Sequence, residues 1–378
     1  MSPMTLGVLT SHKENEKRMP IHPRHFDQIP ASLRKSILFE KGCGAPLDLD
    51  DAELEDAFGG VRSRGAVLAD ADIILLPKPL AEDLRQMRHG TVLWGWPHCV
   101  QQTEITQAAI DRRLTLIAWE AMFLWRDGVR DMHLFYRNNE MAGYCGVQHA
   151  LDLVGTDGLY GEKLKAVVLS LGSVSRGAIY ALQGRGVFDI DVYTQRPPFA
   201  THDQVAGCRY GQMIPDENGR NIVVVDEDGV RRELRHVLAE ADLIVNGILQ
   251  DTDRPLMYVE EDDVPNLKPR SLIIDVSCDE RMGFPFARPT TFEEPVFRVG
   301  AVQYYAVDHT PSYLWRSASW EISRVVIAFL ETVMGGPEAW GQDESIRRAV
   351  EIHDGVIQNE RILSFQGRES TYPHAVRG

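Results

Sequence analysis

Lys165-Ala166-Val167-Val168-Leu169 reads as a short apolar strand, Ser170 to Gly177 as a turn rich in small residues, and Ala178 to Leu182 as the helix that follows. A strand, a glycine-bearing turn and a helix in this order constrain a chain strongly, because they open a parallel sheet with a ligand site at the helix N-terminus. A second strand, Ile190 to Thr194, ends about 20 residues on, where a ribose-reading residue belongs. It is followed by Gln195 and Arg196, with no acidic residue. The unit stands in the middle of the chain and leaves about 140 residues on its N-terminal side, enough for a separate domain.

Composition narrows the class. The chain has 378 residues, too many for one core of ordinary size, so two domains are expected. A net charge of -15 opposes binding to nucleic acid or an anionic membrane, because such a surface gains nothing from phosphate neutralisation. Small molecules are the expected ligands. No N-terminal segment has a basic head and an apolar core, and no run approaches the ~20 apolar residues that span a bilayer, so a cytoplasmic location is expected. Cys43, Cys99, Cys145, Cys208 and Cys278 are scattered and never form a C-x-x-C pair, which fits reduced core thiols.

Thr5 to Thr10, Ser36 to Glu40 and Ala71 to Pro77 read as strands, and Glu104 to Arg113 as a helix. A long helical pattern from Glu140 to Leu153 leads out of the first domain. Further strands are expected within Ala241 to Leu249 and Ser271 to Val276, and two turn signals around Ile222 to Val225 suggest an inserted hairpin. Ala318 to Met334 forms an amphipathic helix that returns to the first domain. The fold class is therefore α/β, with two Rossmann-like domains of parallel sheet flanked by helices and an active site in the interdomain cleft. Residues 1–140 and 312–378 form the substrate domain, and residues 141–311 bind the nucleotide.

In the turn Ser170-Leu171-Gly172-Ser173-Val174-Ser175-Arg176-Gly177, only Gly172 falls on the G-x-G-x-x-G pattern; Ser170 and Ser175 occupy the other two positions. The cofactor-binding residues are expected to be Ser170, Gly172, Ser173, Val174 and Ser175 at the pyrophosphate and Thr194, Gln195 and Arg196 at the ribose. Asn246 and Ile248 follow on the next strand end. An arginine without a carboxylate beside it suits a 2′-phosphate and favours NADPH over NAD, while Arg196 also reads as a solvated loop charge before Pro197-Pro198.

Four N-terminal segments place polar groups at or beyond strand ends: Arg18, Lys78, His98 and Glu120. Each alone reads as a surface charge, and His98, flanked by Trp96 and Cys99, reads equally as a core histidine. Their shared position at the carboxyl edge of one sheet is what makes them a candidate site. Tyr136-Arg137-Asn138-Asn139-Glu140 is dense in polar groups, and Arg137 is taken as a further substrate-binding residue. Asp308-His309 reads either as a dyad or as a helix-start turn before Thr310-Pro311. His22 and His25 have metal-ligand spacing but no third ligand nearby, and solvated positions are expected; no metal is assigned.

The strings Gly95-Trp96-Pro97-His98-Cys99, Ala118-Trp119-Glu120, Tyr136-Arg137-Asn138-Asn139-Glu140-Met141-Ala142-Gly143, Pro289-Thr290-Thr291-Phe292-Glu293-Glu294-Pro295 and Val307-Asp308-His309-Thr310-Pro311-Ser312 resemble the bacterial carboxyethylornithine synthase family. That family lies within the alanine dehydrogenase and lysine-forming saccharopine dehydrogenase superfamily. The resemblance runs nearly end to end. It implies an NADPH-dependent oxidoreductase that condenses the side-chain amine of ornithine or lysine with pyruvate and reduces the imine. By resemblance, Lys78 and His98 are the acid-base groups, Arg18 holds a substrate carboxylate, Glu120 lines the same site and Asp308 lies toward the nicotinamide. The partners implied are an amino acid and a 2-keto acid, in a homo-oligomer. Alternatives are NAD-dependent oxidative cleavage or deamination, and a nucleotide-binding regulator without turnover. The chain departs from the resemblance at Ser170, where a glycine is usual, and in the longer stretch Pro197 to Glu233.

Overall fold

The computed structural model describes residues 3–201 and 203–377. Two compact units divide the chain: Met1–Tyr136 with Leu314–Gly378, and Arg137–Tyr313. The polar run Tyr136 to Asn139 is the first turn of the helix Tyr136–Val154 rather than a loop before it, so the passage falls at that helix's start.

The first unit carries an eight-stranded sheet. Six parallel strands run in the spatial order Thr115–Ala118, Val92–Gly95, Ile73–Leu76, Leu6–Val8, Ile37–Glu40 and Gly60–Arg62. Val350–His353 and Val356–Ile357 from the C-terminal segment add antiparallel at the Thr115–Ala118 edge. The chain steps outward from Leu6–Val8 through Ile37–Glu40 to Gly60–Arg62 and then returns to Ile73–Leu76 on the other side of the first strand, which puts the switch point between Leu6–Val8 and Ile73–Leu76. Alternation along Ile73–Leu76 explains why all four residues are apolar: Ile73 and Leu75 join one core, Ile74 and Leu76 the other. The helix Trp315–Met334 closes the first core with Ile322, Val326 and Leu330.

The second unit repeats this plan in a nine-stranded sheet. Its parallel strands lie in the order Arg209–Pro215, Asp189–Thr194, Lys165–Leu169, Leu243–Asn246, Leu272–Asp275 and Val302–Tyr305. The expected inserted hairpin is present, and it is built onto the edge of the main sheet. Its first strand, Arg209–Pro215, pairs parallel with Asp189–Thr194, and Ile222–Val225 and Arg231–Glu233 extend that edge antiparallel. Burial of Tyr210 and Met213 in the two cores draws it into the sheet.

The pair His22 and His25 departs from the solvated positions expected. His25 is buried, its Nδ1 lies 2.9 Å from Ser323 Oγ, and its ring meets Trp320 edge-on at 4.3 Å. Among the described residues no group of three His, Cys, Asp or Glu is placed to hold a metal ion. No helix among them is long and apolar enough to cross a membrane.

Candidate active site

Parallel strands deliver their following residues to one edge of a sheet, and in the first unit that edge collects Lys78, His98 and Glu120. Lys78 is 7% exposed, and its Nζ lies 2.8 Å from His98 Nε2. Two such nitrogens hydrogen-bond only if one of them accepts, so in this contact one of the two offers a lone pair to the other's N–H. His98 sits in the left-handed region at φ 49°, a strained backbone for a residue with a side chain. Glu120 holds it there, its Oε1 accepting the His98 N–H at 2.6 Å.

Burial pushes the Glu120 carboxyl up from its ordinary range, and the nearby Glu351 carboxyl pushes it further. Glu351 is itself raised by burial. Sequence reading missed Glu351, because a glutamate inside the alternating run Val350 to Ile352 looks like the solvated face of a strand.

Arg18 is buried in the same unit. Its guanidinium makes a two-pronged contact with Glu16, Nε to Oε1 at 2.7 Å and Nη2 to Oε2, and lies 5.2 Å from the centroid of the Trp96 ring. Trp96 in turn packs edge-on against Trp119 at 4.6 Å, which fixes the plane on which Arg18 rests. Arg137 belongs to the second unit, where it is half exposed and pairs with Glu140 at 3.0 Å one turn along its helix.

In the second unit the turn after Lys165–Leu169 leads into the helix Ser173–Gly184, with Gly172 as its N-cap. Ser170 adopts φ 83°, a conformation that glycine takes without cost and that explains why the fold tolerates serine only with strain. Replacing Ser170 by glycine is expected to raise stability by about 1 kcal/mol and to leave dinucleotide affinity within a few fold; equilibrium unfolding and titration check this. A loss of affinity beyond about tenfold would mean that the hydroxyl itself holds the ligand.

The three small residues beyond it differ in why they are small. A Cβ on Gly177 would stand 1.7 Å from the Glu140 carbonyl oxygen, and one on Gly143 would stand 1.9 Å from that of Val174, so both let two helices touch. A Cβ on Gly172 would meet no protein atom within 4 Å. Ser175 is buried, its Oγ donates to the Leu169 carbonyl at 3.3 Å, and Gly247 makes room for it.

Past the next strand, the Thr194 hydroxyl donates to the Arg196 carbonyl and so fixes the loop, while Gln195 and Arg196 are exposed. Among the described residues Arg196 makes no ion pair. Asn246, expected to face a ligand, is instead 1% exposed. Its amide donates to Asp275 Oδ1 at 2.9 Å, and its oxygen accepts from the Ile248 N–H and the Tyr258 hydroxyl. Asn246 therefore shapes the loop that carries Ile248. Burial lifts the Asp275 carboxyl to about 6 against hydrogen bonds from Tyr304 and the Cys278 N–H. Asp308 and His309 do touch, Oδ1 to Nδ1 at 2.5 Å, with His309 buried against Phe292.

The model of the alanine dehydrogenase/PNT N-terminal domain matches residues 7–142, and that of the alanine dehydrogenase/PNT C-terminal domain matches residues 210–360. The chain belongs to the alanine dehydrogenase/PNT family. Among its relatives, an alanine dehydrogenase of Mycobacterium tuberculosis is 25% identical over 99% of this chain and 100% of its own length. An N(5)-(carboxyethyl)ornithine synthase of Lactococcus lactis subsp. lactis is 24% identical over 85% and 93%. A solved L-alanine dehydrogenase superposes with a TM-score of 0.72 at 19% identity, covering 96% of this chain and 99% of its own, which shows the two-domain Rossmann-like fold.

As a member of the alanine dehydrogenase/PNT family the chain is an oxidoreductase that binds a nicotinamide cofactor. The second unit suits that group. Neither family match reaches the glycine turn, since they leave residues 143–209 between them, but the turn's own geometry supplies the fit. Gly172 is bare where packing does not require it, at a helix start on the carboxyl edge of the sheet beside the switch point between Lys165–Leu169 and Leu243–Asn246.

Proposed function

We propose that this protein is an NADPH-dependent reductive condensing enzyme. It joins the side-chain amine of a basic amino acid, ornithine or lysine, to a 2-keto acid such as pyruvate. The observation that carries the reading is the 2.8 Å contact of Lys78 with His98 at a sheet's carboxyl edge.

The chemistry needs such a pair. The neutral amine attacks the ketone carbon, the carbinolamine oxygen gains a proton and leaves as water, and the nitrogen loses one to give the imine. One member of the Lys78 and His98 pair donates and the other accepts, and the 2.8 Å contact lets the proton pass between them. Arg18, held in orientation by Glu16 and Trp96, binds the carboxylate of the keto acid. Glu120 keeps His98 in its strained conformation. When bound, the cofactor supplies the hydride that reduces the imine carbon. Ser170, Gly172, Ser173, Val174 and Ser175 would hold its pyrophosphate, Thr194, Gln195 and Arg196 would hold the phosphorylated ribose, and Ile248 and Asp308 would serve the nicotinamide end. Amine, keto acid, NADPH and a proton give a secondary amine, NADP and water.

The preference for NADPH rests on Arg196, exposed and in no ion pair among the described residues. Arg196→Glu is expected to weaken NADPH binding by about 10- to 100-fold, the worth of a charge-assisted contact, with little change for NADH. An unchanged ratio of the two affinities would remove Arg196 from the site.

A second reading is NAD-dependent alanine deamination, favoured by the full-length match to a relative of that name. A matrix of amino acids and ammonia against keto acids, followed by loss of NADPH or NADH absorbance, separates the two. Condensation requires an amine-bearing amino acid and NADPH; ammonia with NADH supports deamination instead.

A further inference from the structure

We propose that Glu351 is a positioning residue for the Lys78 and His98 pair: from a bulged strand it crowds Glu120, so that Glu120 anchors His98 as a neutral carboxylic acid. The inference rests on the acid-base role proposed for that pair, and its test does not depend on turnover.

The first support is backbone geometry. Val350 pairs with Ile117 and Ile352 with the adjacent Leu116, which leaves Glu351 as the extra residue of a β-bulge. Bulges turn a side chain from the face that alternation would give it, and here the result is a glutamate 6% exposed. The strand it lies on borders the one that leads to Glu120, with the Ala118 N–H donating to the Ala349 carbonyl at 2.8 Å.

The second support is hydrogen bonding. Glu351 Oε1 accepts from Asn359 Nδ2 at 2.9 Å and Glu120 Oε1 from the His98 N–H, but the Oε2 of each is buried without a hydrogen-bond partner. Two carboxylates so placed cannot both stay ionised, since each lacks the donors that would offset burial.

The groups around Glu120 agree with this. Glu351 acts against its ionisation, and Lys78 and the His98 N–H act for it more weakly than burial opposes it. The Cys99 thiol, raised well up by burial and by both glutamates, stays uncharged. His133 bonds the Glu120 backbone, and burial pushes its imidazole down to about 4, so it adds no charge at neutral pH. With Glu120 neutral, no anion stands beside His98 to trap the pair in its protonated form. A proton can then pass between Lys78 and His98 across their 2.8 Å contact.

The test is histidine-labelled NMR on the full chain, with the His98 resonance assigned through His98→Gln. Glu351→Gln is expected to raise the His98 titration midpoint by about half a pH unit or more, because the released Glu120 ionises and favours imidazolium. The double variant Glu120→Gln with Glu351→Gln is expected to lose that shift. An unmoved midpoint in a folded Glu351→Gln protein overturns the proposal.

Melting provides a second readout. A carboxyl whose folded value is raised stabilises most below its ordinary range, and that contribution is lost as pH rises through the folded value. The melting temperature of Glu351→Gln minus that of the natural chain should therefore widen from pH 5 to pH 8, and Glu120→Gln should show the same widening. A gap independent of pH in both variants contradicts the account. Should the midpoint shift appear in a protein that turns over no amine and keto acid, the proposed reaction fails while the carboxyl pair stands.

Discussion

His98→Ala is expected to lower turnover by about 10²- to 10⁴-fold, the usual contribution of a positioned acid-base group, while NADPH affinity stays within about twofold. The split follows from placement. His98 belongs to the first unit, and the glycine turn, Arg196 and the loop of Ile248 belong to the second. Removing the imidazole also takes away the 2.8 Å partner with which Lys78 would exchange a proton. His98→Gln, which keeps a polar atom near Lys78 but cannot carry a proton at neutral pH, should be nearly as slow. Steady-state rates with fluorescence titration of NADPH check both. Turnover within threefold of the natural chain would remove His98 from the mechanism.

The second large effect is structural. Gly177→Ala places a methyl group 1.7 Å from the Glu140 carbonyl oxygen, which is backbone and cannot rotate away. The helices Tyr136–Val154 and Ser173–Gly184 must then separate, at a cost of about 3 kcal/mol or more. For a unit of this size that corresponds to a fall of about 6–12 °C in its melting temperature. Because the second helix begins at Gly172, dinucleotide affinity falls with it. Gly172→Ala makes the contrast: its new methyl meets no protein atom, so the melting temperature should hold within about 3 °C while affinity is lost. Equal melting losses in the two variants would contradict the division between a packing glycine and a ligand glycine.

Much of the architecture is legible in apolar runs. Lys165 to Leu169 and Ile222 to Val225 read as strands with the bounds observed, because buried parallel or edge strands of β-branched residues leave little ambiguity. The carboxyl-edge logic also brings Lys78 and His98 into contact, a relation that no local signal contains. What escapes the reading depends on partners distant in sequence. Gly177 looks like a displaced member of a dinucleotide pattern until Glu140 is seen against it. Asn246 reads as a ligand residue at a strand end, but Asp275 and Tyr258 claim its amide. Glu351 has the spacing of a surface residue and is turned inward by a bulge that no periodicity announces. One signal was present and overlooked: Asp127-Gly128, both at positive φ, joins Phe123–Arg126 to Val129–His133 as the tight hairpin that such a pair favours.

The most direct test of the central claim is the mass of the product formed from pyruvate, NADPH and ornithine carrying ¹⁵N on its side chain. The account predicts a secondary amine that contains the whole carbon skeleton of both substrates and retains the label, formed with one NADPH consumed per molecule. Alanine formed from pyruvate and ammonia with NADH, and no condensed product from ornithine or lysine, would contradict it.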